Sequence, residues 1–217
     1  MPNGVIATID SMISERSLLK HPFYQAWTCG TLPIERLRGY AVRYFPHVAA
    51  FPRYLSAVHS RCTDIATRQA LLENLIEEER GAENHPELWL RFAEALGVPR
   101  GEVTESAPVP AAENLVNTFL DLAGNGQVQC GMAALYAYES QIPPVATAKI
   151  DGLKRFYGIT DARGLAFFSV HEKADVWHAQ ADAELIERSC QTEAEANAAI
   201  KAADRALNAL WSMLDAV

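Results

Sequence analysis

Cysteine is scarce and poorly spaced for chemistry. Cys29, Cys62, Cys130 and Cys190 are the only four, and no CxxC pair occurs among them. That disfavours a thiolate zinc site, and a chain of this size has no need of a disulfide framework. The four read as reduced thiols in a cytosolic protein. Basic runs are missing too. Nineteen Lys and Arg stand against 27 Asp and Glu, a formal net charge of −8, which sets aside nucleic acid and anionic membrane as main partners. No apolar stretch reaches membrane-spanning length. The opening "MPNGVIATIDSMISER" lacks the basic and apolar regions of a secretory signal, so a cytoplasmic location is the expectation. No Gly-rich phosphate loop appears, since "AGNGQ" at 123–127 reads as a helix–helix turn. There is no GxSxG motif and no cysteine with a nearby histidine to make it a nucleophile. Alternating Val/Ile/Thr runs, internal repeats and low-complexity tracts are absent as well.

What is present is helical periodicity. It predicts helices over roughly 4–19, 22–29, 33–60, 64–82, 86–96, 111–124, 127–157, 161–190 and 192–215. Thr63 or Asp64 is the natural N-cap of the fourth, and Pro33 lies near N1 of the third. Pro46 and Pro52 should bend or break the third helix, and Pro143-Pro144 the seventh, after Glu139. "ESAPVPAAE" is the longest loop. Both of its flanks look alike, so the 217 residues read as one domain, 1–217, long enough to bury a sizeable core. The expected fold is an all-α, mainly antiparallel bundle of seven to nine helices.

The segment "FFSVHEKADVWHAQADAELIER" places polar residues where an apolar stripe is needed. With about 100° per residue, Asp175 lies near +40° and His178 near −20° from His171. Phe167, Phe168, Asp182 and Leu185 share that sector. Ser169, Lys173, Gln180, Glu184 and Glu187 fill the opposite one, which is therefore the solvated face. Buried imidazoles and a buried carboxylate need partners. Either a metal ion or a His–Asp hydrogen-bonded network would supply them.

Further donors stand on other helices. In "LIEEERGAENHPELW", Glu78 and His85 are seven residues apart and return to nearly one face, with Leu71, Leu75 and Trp89. Gly81 and Pro86 could interrupt the helix between them. Glu77 and Glu79 point aside and read as solvated or capping, which is also the ordinary alternative for Glu78. In "QCGMAALYAYESQIPP", Glu139 is the one acid in an apolar stretch, on the face of Val128, Met132 and Leu135. It needs a cation or a Tyr or Trp hydrogen bond. Glu78, His85, Glu139, His171, Asp175 and His178 together make three carboxylates and three imidazoles. Two divalent cations would balance them, leaving positions for dioxygen or substrate. Such a set favours iron or manganese over closed structural zinc. His21, His47 and His59 read as surface or hydrogen-bonded histidines. Trp27, Trp89, Trp177 and Trp211 read as core.

"HPFYQAW", "NLIEEERGAENHPELW", "YAYESQIPPVATAKIDGLKRFYG" and "FFSVHEKADVWHAQ" resemble the chlamydial protein associating with death domains and its bacterial relatives. These are haem-oxygenase-like di-metal oxidases, with TenA and PqqC as more distant kin. The resemblance runs roughly from residue 15 to 190. The family's E-x6-H, lone E and H-x3-D-x2-H pattern is filled at all six positions named above. PqqC-like proteins lack this metal set. The resemblance implies a seven- to eight-helix bundle, usually a dimer, and formation of p-aminobenzoate for folate synthesis without the chorismate route. It implies a self-sacrificing reaction. Tyr24 would supply the ring and Lys149 the amino nitrogen, with Tyr40 and Tyr138 beside the site as radical relays. Two divalent metals (Fe/Fe or Mn/Fe), dioxygen and a reductant would be required. Other members of the fold oxidise an external small molecule. The chlamydial name also leaves open a non-enzymatic module for helical partners.

Overall fold

The structure, a computed structural model, describes residues 4–217, with the side chains of residues 173–177 outside that description. Among the described residues there are twelve α-helices, one short 3-10 turn and no strand. The helices are α1 Val5–Glu15, α2 Pro22–Thr28, α3 Ile34–Arg43, α4 Phe45–Arg61, α5 Ile65–Glu79, α6 His85–Ala95, α7 Arg100–Glu105, α8 Pro110–Gly124, α9 Val128–Glu139, α10 Ile142–Phe156, α11 Ala162–Ser189 and α12 Glu193–Asp215. The all-α expectation holds. The count exceeds the seven to nine expected, and each excess has a local cause.

The span 33–60 divides at Tyr44, and Pro46 sits in the first turn of α4, where a missing N–H breaks no helical bond. The span 127–157 divides after Glu139 in the same way, with prolines in the first turn of α10. Pro52 does not break the helix, since α4 continues through it. Helix α7 lies in a stretch that reads as irregular. It forms because Val103 is buried and the Arg100 guanidinium pairs with Glu87 and Glu94, contacts that no local pattern announces. The first span stops at Glu15, and Leu18–Lys20 makes the 3-10 turn, with Leu18 N–H donating to Gln141 Oε1 at 2.9 Å.

Elsewhere the caps behave as their chemistry dictates. Asp64 accepts from Thr67 N at the start of α5, Asn84 from Glu87 N at α6, and Asp161 from Gly164 N at α11. Thr192 and Glu195 form a reciprocal capping box at α12.

Helix α9 is the axis of the bundle. Every residue from Gln129 to Glu139 is buried. It packs against α12, α11, α8 and α4. Small residues permit that crowding. A Cβ on Gly131 would stand 2.6 Å from Val58 Cγ2 and 3.1 Å from Ala123 Cα. Helix α12, which packs on α9, buries Ala196, Ala199, Ala202, Ala203 and Ala206. Any polar group at the end of α9 is therefore deep in the interior. Among the described residues, no helix is long and apolar enough to cross a membrane.

Candidate metal centre and adjoining aromatic cage

Glu78 and His85 are not on one helix. Helix α5 ends at Glu79, the chain turns through Gly81 at φ +80°, and α6 begins at His85 behind its Asn84 cap. The turn reverses the chain tightly enough to bring the two side chains together, with His85 Nδ1 2.9 Å from Glu78 Oε1. His171 of α11 completes the group, its ring centroid 4.5 Å from that of His85. One donor atom from each of Glu78, His85 and His171 lies within 4.8 Å of the others, and all three residues are buried.

The electrostatics suit a cation. Burial, reinforced by His85, pushes the His171 imidazole down to about 3, so it is neutral and keeps a lone pair. His171 Nδ1 bonds the Phe167 carbonyl at 2.5 Å, which orients the ring and leaves Nε2 as the ligating nitrogen. Two imidazoles and a carboxylate in a buried pocket fit a divalent transition metal.

A second polar group adjoins the first two turns further along α11. His178 Nδ1 lies 3.7 Å from Glu139 Oε1, and His178 Nε2 lies 3.5 Å from Glu77 Oε2. Asn74 Nδ2 donates to Glu139 Oε1 at 2.8 Å. Asp182 is hydrogen-bonded to Glu139, and burial pushes its carboxyl up to about 7. Five of the six expected donors thus fall into two neighbouring groups. The sixth, Asp175, lies outside the described residues. The solvated face is also as expected, with Ser169, Gln180, Glu184 and Glu187 exposed or half-buried; Lys173 is outside the described residues. Glu77 is exposed, as its position on the helix implies, yet still reaches His178.

Asn74 and Asp182 are site residues that the sequence reading misses, although the signal is present. Each is a polar residue one turn from a donor, Glu78 and His178 respectively, and on the same helix face.

On the other side of Phe167 lies an aromatic cage. Tyr24, Tyr40 and Lys149 are 2%, 0% and 6% exposed. Tyr24 Oη and Tyr40 Oη are 3.2 Å apart, and Lys149 Nζ donates to Tyr40 Oη at 2.8 Å. The amine lies 5.1–5.2 Å from the ring centroids of Tyr24, Tyr40 and Phe168, with Trp27 and Trp89 close behind. Burial lowers the Lys149 amine to about 7. It raises the phenols of Tyr24, Tyr40 and Tyr44, with the Tyr40 bond a smaller opposing effect on Tyr24.

Ring contacts join cage to metal donors. Tyr40 meets Trp89 at 5.4 Å, Trp89 meets Phe167 at 4.9 Å, and Phe167 meets His171 at 4.4 Å. Tyr138 lies on a second branch. It is hydrogen-bonded to Tyr44 and packs edge-on to His47 at 5.0 Å. Tyr44 carries no sequence signal, because its neighbours come from distant parts of the chain. His21 caps α2 and meets Asp215, and His59 is half-buried at the end of α4.

The family model described as "Iron-containing redox enzyme" matches residues 38–211. A 4-aminobenzoate synthase of Nitrosomonas europaea is 47% identical, over 96% of this chain and 89% of that protein. A 4-aminobenzoate synthase of Chlamydia pneumoniae is 42% identical, over 96% and 92%. The solved structure of a TenA homologue from Pseudomonas syringae superposes with a TM-score of 0.83 at 16% identity, covering 97% of this chain and 91% of that one.

Proposed function

This chain belongs to the haem-oxygenase-like family of iron-containing redox enzymes, and on that premise we propose that it forms 4-aminobenzoate from its own Tyr24 and Lys149. The observation that carries the proposal is the placement of the Lys149 amine 5.2 Å from the Tyr24 ring centroid in a buried cage. Relatives bearing the name 4-aminobenzoate synthase support the product.

The product maps onto a tyrosine side chain. Its carboxyl carbon lies para to its amino group, as Cβ of tyrosine lies para to the hydroxyl-bearing Cζ. Making it from Tyr24 breaks Cα–Cβ, takes Cβ to the carboxyl level and exchanges the oxygen at Cζ for nitrogen. Using Lys149 as donor forms Cζ–Nζ as the Cζ oxygen leaves as water, and oxidation followed by hydrolysis breaks Nζ–Cε and leaves Cε as an aldehyde. Dioxygen is the oxidant and an external reductant supplies the balancing electrons.

Glu78, His85 and His171 would hold one metal ion, and Glu139 and His178, with Asp175, a second, as an Fe/Fe or Mn/Fe pair. When bound, the metals supply activation of dioxygen for oxidation.

The remaining roles belong to side chains of the chain. Burial keeps the Tyr24 and Tyr40 phenols protonated, so electron loss from Tyr24 must be accompanied by proton loss, and Tyr40 Oη is the partner in reach. The ring series Tyr40, Trp89, Phe167 and His171 gives that electron a route of closely spaced steps. Lys149 attacks only as a free amine, and its lowered pKa supplies one near neutrality. Tyr40 holds the amine beside the ring, and the surrounding rings exclude water that would compete for Cζ. The cavity bounded by Glu78 and His171 is about 10 Å³, room for a water-sized molecule and not for a benzoate ring.

The test supplies reduced, iron- or manganese-loaded protein with dioxygen and no aromatic compound. Aminobenzoate should form in at most stoichiometric yield with the chain, and the Tyr24 peptide should lose mass. Repeated turnover with Tyr24 intact would overturn self-sacrifice and favour an external substrate.

A further inference from the structure

His47 of α4 is 1% exposed and surrounded by rings. Tyr44, Phe51, Tyr54, Phe119 and Tyr138 lie at centroid distances of 5.0–6.0 Å. Its Nδ1 is 3.4 Å from Tyr54 Oη. Its Nε2 has no hydrogen-bond partner among the described residues. A buried polar atom in an aromatic setting is costly to leave unpaired, and native interiors rarely do so. The residue also forms part of the wall of the 10 Å³ cavity together with Glu78, His171, Val48, Phe51, Tyr138 and Phe167. The wall thus combines two of the metal donors with a histidine that has a nitrogen to spare.

Burial holds His47 neutral, lowered to about 3, so the ring carries a single N–H. The Tyr54 hydroxyl is buried and has His47 Nδ1 as its partner. A phenol donating to Nδ1 places the histidine proton on Nε2, which makes Nε2 a donor and removes it as a metal ligand. The apolar remainder of the wall selects for a small uncharged occupant. The size admits one or two heavy atoms.

We propose that this cavity is the binding site for a diatomic or water-sized oxygen ligand of the metal centre, and that His47 recognises it by donating a hydrogen bond from Nε2. This rests on the reading of Glu78 and His171 as metal donors. His47 is a recognition residue for dioxygen, separate from the Tyr24–Lys149 cage, and it orients the ligand before chemistry begins.

Two measurements test it. A crystal structure of metal-free protein should show an ordered water within hydrogen-bonding distance of His47 Nε2. This arm does not depend on metal binding. In the second arm, nitric oxide is titrated anaerobically into iron-loaded wild type, H47L, H47M and H47Q, with iron content and the infrared N–O stretch recorded. H47L and H47M both remove the donor without adding bulk, so either one that folds suffices. The nitric oxide dissociation constant should rise about tenfold in these, the effect of one lost hydrogen bond. The N–O stretch should shift, and H47Q, which restores an N–H, should return towards wild type. Equal affinity and an unchanged stretch at full iron content would overturn the proposal, as would a loaded structure with metal on His47 Nε2. Failure of wild type to bind iron would instead sink the metal reading, and the ordered water would then decide the role of His47.

Discussion

At Lys149 the fold holds an amine among five rings with one hydrogen bond, to Tyr40. Burial lowers it from 10.5 to about 7. At pH 7 that places on the order of 4 kcal/mol against folding, at about 1.4 kcal/mol for each tenfold loss of proton affinity. The sign follows from proton counting. Between about 7 and 10.5 the unfolded chain binds a proton that the folded chain does not, so stability rises with pH across that window. Below it both states are protonated and the penalty is complete. Lys149→Met keeps the shape and removes the amine. It should be more stable than wild type at pH 6–7, and the gap should shrink by about 1.4 kcal/mol per pH unit from 7 towards 10. Urea denaturation of both proteins at several pH values checks this, and a constant gap would contradict the lowered pKa. The same titration governs the proposed chemistry. Aminobenzoate yield from the wild type should fall as pH drops below 7, while iron content stays constant. A fold that keeps so costly a residue is consistent with its use as a reactant.

Helices α2 and α10 present the two proposed reactants to one another, and Gly152 sets their separation. A Cβ there would stand 2.5 Å from Trp27 Cδ1 and 3.3 Å from the Trp27 carbonyl oxygen. Gly152→Ala should therefore push α10 from α2. The expected cost is about 1–3 kcal/mol by overpacking, with a drop in aminobenzoate yield and no change in iron content. Thermal unfolding and metal analysis separate the two effects. This contact also shows where sequence stops being informative. The inward face of α11 was legible because fourteen residues of one helix carry the pattern from Phe167 to Gln180. The pairing of Glu78 with His85 was legible by spacing, although it is realised across a turn and not along one helix. Asn74 and Asp182 could have been found by the rule that identified His171, a polar residue in an apolar stripe. Tyr44, His47 and Gly152 could not. Their meaning lies in Tyr138, Tyr54 and Trp27, which folding alone brings beside them. Helix α7 was missed for the same reason, since Glu87 and Glu94 hold it from another helix.

Across the whole molecule the described donors come from four helices, Glu78 from α5, His85 from α6, Glu139 from α9 and His171 and His178 from α11. The buried carboxylates Glu78 and Glu139 have imidazoles, Asn74 and Asp182 among their partners. A divalent ion would tie these helices together and neutralise the carboxylates at once, which means metal binding and folding should be strongly linked. At free metal a hundredfold above its dissociation constant the linkage adds about 2.7 kcal/mol. For a chain of this length that corresponds to a rise of roughly 5–10 °C in Tm. Protein stripped with a chelator should therefore melt lower by that amount and recover on reloading with iron or manganese under anaerobic conditions. Glu78→Gln and His85→Ala should lose the increment. His59→Ala, at the half-buried end of α4 and away from the donors, should keep it. Scanning calorimetry of each protein with and without metal gives the comparison. An increment that survives loss of Glu78 and His85 would place the ion elsewhere in the bundle, and one that is absent from wild type would mean that the buried carboxylates are balanced by the protein alone.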